Sequence, residues 1–502
     1  MSAASKRQLI TLATTLVASV ALPQQPLAID QTFRTHIINV NVNDVLPRND
    51  GNLIISGYFR FQGDNILTTH NGALLNHSGG RLPDFPEANF LSGKLVPWND
   101  MFYGTNGRIS RHFMDGTLDP IYVAPNSTLT DYAILQGGDY HVFQDGRALI
   151  SGVYTYPLGN DNDIYSFLWL DDHGFVDTTK IQRRADGSIY WFKELPDGKF
   201  ICYGGITEYE GTPVSLIFRI EADGSLDTTF NVPPLDLGEA YTYYPTADGK
   251  VVVGGFFHFV NAPDTVNLIR LLPNGQLDPT FNSNTDYNAN FINSPALYYY
   301  ASVSCILPIG NDRLIITGGF DEVEGQARGG MAMLDSAGNL LDDYFTGAGC
   351  GEYTYYPGVD TSNNYKYRSI DGIKPTADGE YYIFGAYQGY DDGTTNDTLQ
   401  RFVSRLYGLN VGINELDKFN PKPLAIAPNP TAGSALLSVE APLQNAQLTL
   451  HDASGRVALQ MAWPAGSAQC QLPTGTLAPG AYVANVRTGA NTRYSGRLVV
   501  LP

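Results

Sequence analysis

The chain has 502 residues, a formal net charge of −19, only 16% charged residues, and 52 glycines, 30 prolines and 31 tyrosines. No stretch sustains a helical period, and this composition suits many short strands joined by tight turns, so an all-β fold is expected. From Leu424 onward Arg456, Arg487, Arg493 and Arg497 outnumber Glu440 and Asp452 by two, so the rest carries about −21. An acidic body of this kind repels phosphate backbones and sets nucleic acid aside as a partner.

In chain order, the first segment reads as an export signal. Lys6 and Arg7 precede an apolar run, Leu9 to Leu22, and small residues follow it. The run is short for a membrane span. A cleaved signal peptide is therefore expected over 1–23, with no transmembrane segment left after cleavage. The cysteines Cys202, Cys305, Cys350 and Cys470 form no C-x-x-C pair. Export permits a disulfide, with Cys305 and Cys350 as the pair to test and free buried thiols as the alternative.

A repeated unit follows. Its clearest copy, Tyr241 to Asn282, reads as an apolar strand, an Asp-Gly turn, a Val-rich strand ending in Gly-Gly, a loop, an apolar strand, an Asn-Gly turn and Leu-Asp-x-x-Phe. Each turn dipeptide is expected to supply the positive φ angles of a tight hairpin. Four strands per unit make one propeller blade. The Asp of the first turn recurs at Asp50, Asp100, Asp145, Asp197, Asp248, Asp312 and Asp378. The closing strand recurs at Leu118-Asp119, Val176-Asp177, Leu226-Asp227, Leu277-Asp278 and Leu341-Asp342. The last unit ends at Arg401–Leu406 without a closing strand, whereas Ile29–Phe33 stands alone before the first. The N-terminal strand is expected to complete the last blade, leaving no open edge. These features predict a seven-bladed β-propeller over 29–409, or six blades if the degenerate unit at Asp100 fails.

ADGSLDTTFN (222–231), PNGQLDPTFN (273–282) and the strand ends Gly204-Gly205, Gly254-Gly255 and Gly318-Gly319 resemble the delta-60 repeat family of β-propellers. That resemblance implies a fold and little chemistry. Residues 410–423 read as a linker. The short alternating strands of 424–502 predict a small Ig-like β-sandwich. This segment resembles the type A C-terminal sorting domain of type IX secretion through Pro428, Asn429, Pro430 and Gly433, then Asp452, Gly455 and Arg456, then Leu477, Gly480 and Tyr482, and a final Leu-Val-Val strand. The resemblance implies export across the outer membrane of a Gram-negative bacterium by the type IX machinery, removal of the domain, and anchoring or release at the cell surface.

The sequence holds no P-loop, G-x-S-x-G elbow, H-E-x-x-H or dinucleotide fingerprint, and nothing points to a cofactor. Carboxylate pairs such as Asp161/Asp163, Asp171/Asp172, Asp321/Glu322 and Asp391/Asp392 are read as solvated loop residues, with glycoside hydrolysis as the functional alternative. Gly159–Asp163 and Asp391–Asp397 are the stretches that could hold calcium, though neither has EF-hand spacing, and whether a metal binds stays open. The Leu-Asp-x-x-Phe aspartates are expected to accept structural hydrogen bonds.

Loop lengths carry the functional reading. The first and third connections of each unit are tight, whereas the others are long and rich in Tyr, Asn and Asp, so one propeller face is trimmed and the other elaborated. Long loops on a rigid scaffold are where binding sits, and tyrosine supplies contact area with a polar tip. The candidate ligand-binding residues are Tyr154, Tyr156, Tyr298, Tyr299, Tyr300, Tyr355, Tyr356, Tyr387 and Tyr390, while Tyr241, Tyr243 and Tyr244 are expected between blades. The sequence thus reads as a secreted, non-enzymatic propeller that binds a glycan or an extracellular protein. A polysaccharide-degrading enzyme and a structural envelope protein are the alternatives.

Overall fold

A computed structural model describes residues 26–65, 67–86, 91–123, 131–157, 163–289, 300–310, 312–355, 365–409, 422–444, 446–451, 457–475, 477–488 and 493–501. The expected signal peptide and most of the expected linker lie outside them. All named elements are strands. They fall into two compact units, Met1–Val411 and Gly412–Pro502.

In the first unit one sheet pattern recurs. The strands Ile37–Pro47, Val96–Trp98, Ala133–Val142, Ser188–Glu194, Leu235–Pro245, Ser302–Ile309 and Ser369–Pro375 each pair antiparallel with the strand that follows along the chain. That second strand pairs with a third, in an up-and-down sheet. These first strands form the inner edges of their sheets. Neighbouring sheets pack against one another around a ring, and the sheet of Ser369–Pro375 packs back onto Ile37–Pro47. The degenerate unit at Asp100 forms a sheet like the others, from Val96–Trp98, Met101–Asn106 and Arg108–Phe113. The core consists of wedges between neighbouring sheets. One is built from Ile54, Phe85, Leu91 and Phe102, and another from Val252, Phe281, Val303 and Ile316.

Turn chemistry differs from expectation in one detail. At the Asp-Gly turns only the glycine has a positive φ, as at Gly51, Gly249 and Gly379. The preceding Asp instead turns its carboxylate onto the backbone, and Asp50 Oδ1 accepts the Asn52 N–H at 3.1 Å. Asp312 takes the glycine's own place in its turn, with φ 54°. At Gly338, where φ is also positive, a Cβ would lie 2.8 Å from the Phe281 ring of the neighbouring sheet, so the position needs glycine twice over.

The closing strand is short. Outside Arg81–Leu82 it is a single antiparallel bridge, such as Leu271↔Leu277 or Ile220↔Leu226. The bridge before Ile29 closes the ring: Ile29 pairs with Leu406, and Asp30 N–H donates to the Arg405 carbonyl at 2.8 Å.

A clasp follows four of these bridges. An arginine stands directly across the bridge from the Asp of Leu-Asp-x-x-Phe, in three copies eight residues before it and in the fourth at the other end of the propeller chain. Arg111 Nε meets Asp119 at 2.6 Å, Arg219 Nε meets Asp227 at 2.7 Å, Arg270 Nε meets Asp278 at 2.8 Å, and Arg405 Nε meets Asp30 at 2.8 Å. The same guanidinium lies over the aromatic ring three residues beyond that Asp: Tyr122 at 5.1 Å, Phe230 at 4.5 Å, Phe281 at 4.8 Å and Phe33 at 5.5 Å. The other carboxylate oxygen caps the chain, as Asp278 Oδ1 does for the N–H (2.9 Å) and hydroxyl (2.7 Å) of Thr280. Hydrogen bonds from Thr280 and cations at Lys250 and Arg270 outweigh burial and hold the Asp278 carboxyl well below its usual range.

One copy shifts register. Leu341, not Asp342, occupies the Asp position, because its N–H donates to Met333 across the Leu334↔Leu340 bridge. There Met333 replaces the arginine, so cation and anion are lost together.

In the second unit, Arg493–Val500, Gly480–Thr488, Ala446–His451 and Val457–Ala462 form one sheet, with Lys422–Pro423 parallel to the first of these. Ala425–Ala427, Ser434–Leu443 and Ser467–Pro473 form another. Both contribute to one core around Leu437, Leu448, Trp463 and Leu498.

Two predictions test the clasp. Asp30→Ala leaves the Arg405 guanidinium buried without its carboxylate, and should cost about 3–5 kcal/mol in urea unfolding. Asp177→Ala, which has no arginine across its bridge, should cost less than half as much; equal losses would refute the clasp. Because the carboxyls of Asp30, Asp227 and Asp278 are held below their unfolded value of 3.8, their contribution is present above about pH 4 and is lost as pH falls further. Wild-type Tm should therefore drop on acidification below pH 4 by more than that of Asp278→Asn.

Candidate ligand site at the mouth of the channel

The inner strands enter from the side of the long connections and leave through the tight turns, so their first residues surround the channel mouth on the elaborated face. There a cavity of ≈ 320 Å³ is lined from five sheets, by Asn41, Tyr241, Ser302, Ser304, Tyr367, Ser369 and Asp371 among others. A larger cleft of ≈ 470 Å³ runs along one sheet boundary by Val214, Leu216, Val232 and Leu235. That cleft lies between two neighbouring sheets and is lined by threonines, Ser215, Asp227 and Asn231 as well, whereas the mouth cavity gathers hydroxyls, an amide, a carboxyl and aromatic rings from several sheets, a mixture that can fix a polar ligand.

Asp371 sits deep in the channel wall, where burial pushes its carboxyl up to about 6 against the hydrogen bond from Ser369. It is the only carboxyl among the described residues lining this cavity. Arg368 beside it is committed to structure. Its Nη1 lies 2.9 Å from Asp321, and its Nε and Nη2 donate to the carbonyls of Cys350 and Ala348 at 2.7 and 2.9 Å.

A row of rings runs from this cavity. Tyr241 lies 6.5 Å from Trp191 and 6.3 Å from Phe256, and Phe256 stacks on Tyr300 at 5.1 Å and 15°. The ends of the row are open, with Trp191 38% and Tyr300 43% exposed. Tyr241 is held by its hydroxyl, which donates to Glu239 at 2.5 Å.

The candidate tyrosines fare unevenly. Tyr300 joins the row. Tyr156 is half-buried and lies 6.3 Å from Tyr165. Tyr154, Tyr387 and Tyr390 are corrections: each is at least 97% buried, because each belongs to a long second strand that is covered on both faces. Tyr154 donates to the Ser151 carbonyl, and Tyr387 to Ser404 Oγ at 2.7 Å. Tyr298, Tyr299 and Tyr356 lie outside the described residues, and Tyr355 ends the short strand Tyr353–Tyr355. Tyr243 fills a wedge as expected, but Tyr241 faces the cavity. Trp191, Phe256 and Asp371 were not among the candidates. A signal existed, since Tyr241 and Asp371 each stand seven residues before a turn Asp and Phe256 directly follows Gly254-Gly255.

The acidic pairs are engaged locally. Asp392 accepts from Thr394 and Thr395 and from Ile29 N–H, Asp391 accepts from Gly393, and Asp397 pairs with Arg34 at 2.7 Å. Asp171 caps its own turn, and Asp172 meets His173 at 2.7 Å. Most of the other calcium stretch, with Asp161, lies outside the described residues, and Asp163 pairs with Arg184. All four cysteines are free thiols, including Cys305 and Cys350.

In the second unit the motif residues tie the chain to the last strand. Asn429 Oδ1 accepts the Val499 N–H at 2.9 Å, its Nδ2 donates to the Arg497 carbonyl at 2.6 Å, and Thr431 bridges Val500 in parallel. Pro428 and Pro430 flank Asn429. The Gly433 carbonyl accepts from Thr474 N–H, and Gly480 opens its strand. Leu477 packs against the core, and Tyr482, buried, donates to the Ala478 carbonyl at 2.6 Å. Asp452, Gly455 and Arg456 lie outside the described residues.

Residues 195–230 and 246–281 match the family described as a domain of unknown function (DUF5122) β-propeller, and residues 425–501 match the secretion system C-terminal sorting domain. No curated protein matches the chain. Among solved structures it is similar to PorZ, an essential bacterial surface component of the type-IX secretion system of Porphyromonas gingivalis, at 14% identity over 95% of this chain and 61% of that one, with a TM-score of 0.34. It is also similar to the extracellular domain of the putative one component system BT4673 from B. thetaiotaomicron, at 10% identity over 96% of this chain and 59% of that one, with a TM-score of 0.36. A third is MPT-4, a mannose phosphorylase from Leishmania mexicana, at 12% identity over 77% of this chain and 90% of that one, with a TM-score of 0.25. The chain spans about three fifths of the length of the first two. The protein is thus an exported β-propeller with DUF5122, or delta-60, repeats and a type IX C-terminal sorting domain, bound for the cell surface or the medium.

Proposed function

We propose that the protein is a non-enzymatic, surface-displayed binding module that holds a glycan at the channel mouth. The observation that carries this reading is the open-ended row Trp191–Tyr241–Phe256–Tyr300 running from a cavity of hydroxyl, amide and carboxyl groups. Sugars present apolar C–H faces and a rim of hydroxyls. Aromatic faces take the first and short polar side chains the second. Trp191, Tyr241 and Phe256 stand on strands rather than loops, which favours a preformed site. Glycoside hydrolysis normally uses two facing carboxyls, and the described lining offers only Asp371.

The propeller in this reading has seven blades over 29–409, closed by the N-terminal strand, and the segment 424–502 is an Ig-like sandwich joined through the linker 410–423. The sandwich engages the type IX machinery, and the glycan is the partner outside the cell. Tyr156, Tyr298, Tyr299, Tyr355 and Tyr356 would extend the face around Tyr300.

The test is retention of the purified full chain on immobilised plant, algal and host polysaccharides, with new reducing ends assayed in parallel. Retention without new ends is expected, weakened at least tenfold in Trp191→Ala and Tyr300→Ala. New reducing ends that vanish in Asp371→Asn would make the protein a hydrolase instead. Asp371 also gives a pH signature. Its folded value is raised from 3.8 to about 6, so its contribution to stability is present below about pH 4 and is lost as pH rises through 6. The Tm of Asp371→Asn relative to wild type should therefore climb between pH 4 and 7; a flat difference would place the carboxyl in water.

A further inference from the structure

The channel carries a second group of side chains, nearer the tight turns. Asp44, Lys94 and Asp139 each stand six residues before a turn Asp, and Lys193 and Lys374 stand four before. Around the ring the inner strands thus present Lys374, Asp44, Lys94, Asp139 and Lys193 in order. Neighbours pair across strands: Lys374 Nζ lies 2.9 Å from Asp44 Oδ1, and Lys94 Nζ lies 3.0 Å from Asp139 Oδ1 and 2.9 Å from the Tyr140 carbonyl. Both aspartates are buried, and Asp44 Oδ2 also accepts the Leu95 N–H. The alternation ends on a cation. Lys193 has no hydrogen-bond acceptor or ion-pair partner among the described residues, its side chain is open to the channel, and Glu194 turns instead to His141 at 3.3 Å.

We propose that this end of the channel binds an oxyanion, a carboxylate or sulfate group, which completes the alternation by pairing with Lys193 beside Lys94 and Lys374. Lys94 and Lys374 each hold an aspartate and Glu194 lies against His141, so among the described residues Lys193 alone of the three ammonium groups has no partner within ion-pair distance. Burial and then Lys94, with Lys374 also contributing, hold the Lys193 ammonium below its usual range against Asp139 and Glu194. Burial, then Lys94 and Lys193, press the His141 imidazole down to about 4. The group uses none of the residues of the mouth and stands whether or not a glycan binds there. Its anion comes either from a free ion or from an acidic sugar.

The full chain is titrated calorimetrically with sodium sulfate, with an oligogalacturonate and with a neutral oligosaccharide of equal length. Saturable binding of an anion is expected, at least tenfold weaker in Lys193→Gln and retained in Lys193→Arg. Sulfate and uronate binding equally would assign a small-ion site, and uronate alone an acidic-glycan site; either supports the proposal. No saturable anion binding, or equal affinity in wild type and Lys193→Gln, would overturn it. Loss in Tyr300→Ala with retention in Lys193→Gln would move the anion to the mouth and overturn it as well.

Discussion

The fold depends on how each sheet finishes. A closing segment that makes a single bridge has little ladder to hold it, and the clasp supplies the rest. Arg270 reaches across the bridge to Asp278, lies over Phe281, and donates through Nη1 to the Ser336 carbonyl in the neighbouring sheet's turn at 2.7 Å. One side chain therefore fastens the segment to its own sheet and the sheet to its neighbour. Arg111 and Arg405 do the same through the carbonyls of Asp172 and His77. Partial burial makes such a pair expensive to break, since removing either member strands the other charge.

The exceptions follow the same physics. Where Trp169 replaces the arginine, Lys180 replaces the phenylalanine and lies over the indole at 5.4 Å, so cation and ring exchange places. Arg183 then supplies the missing link to the next sheet, donating to the Asp223 carbonyl at 2.9 Å. Where Met333 and Leu341 stand, both charges are gone and an apolar wedge remains. In no copy is one charge of the pair kept at these positions while an arginine is left facing an apolar side chain.

This explains what the sequence disclosed. The turn Asp, the Gly-Gly ends and Leu-Asp-x-x-Phe are local patterns, and they located the sheets and the ring-closing strand at Ile29. The clasp arginine is equally periodic but was hidden, because its partner lies across a bridge rather than beside it. The register at Leu341 was misread for a related reason: Asp342 supplies the expected letter one place late, and only the Met333 hydrogen bond fixes the pairing. The candidate site was the least legible. Tyrosine-rich loops drew notice by composition, yet Tyr154, Tyr387 and Tyr390 are buried, because strands covered on both faces continue further into those segments than loop composition suggests. Trp191, Tyr241 and Asp371 face the channel because inner strands put alternate residues on the axis, and a bulge near Ala240/Thr242 or Ile370/Gly372 resets that alternation just where the site lies.

The bulges join fold to function. An inner strand with strict alternation would keep one set of residues on the channel from end to end. A bulge re-aims the side chains above it without disturbing the core residues below, such as Tyr243 and Ile373. The mouth and the turn end of the channel therefore carry different chemistry on the same strands: aromatic and hydroxyl groups with the Asp371 carboxyl above, lysines and aspartates below. The clasps hold the sheets from their outer edges, while at the axis Lys374–Asp44 and Lys94–Asp139 join neighbouring inner strands below the bulges and leave the residues above them to line the mouth.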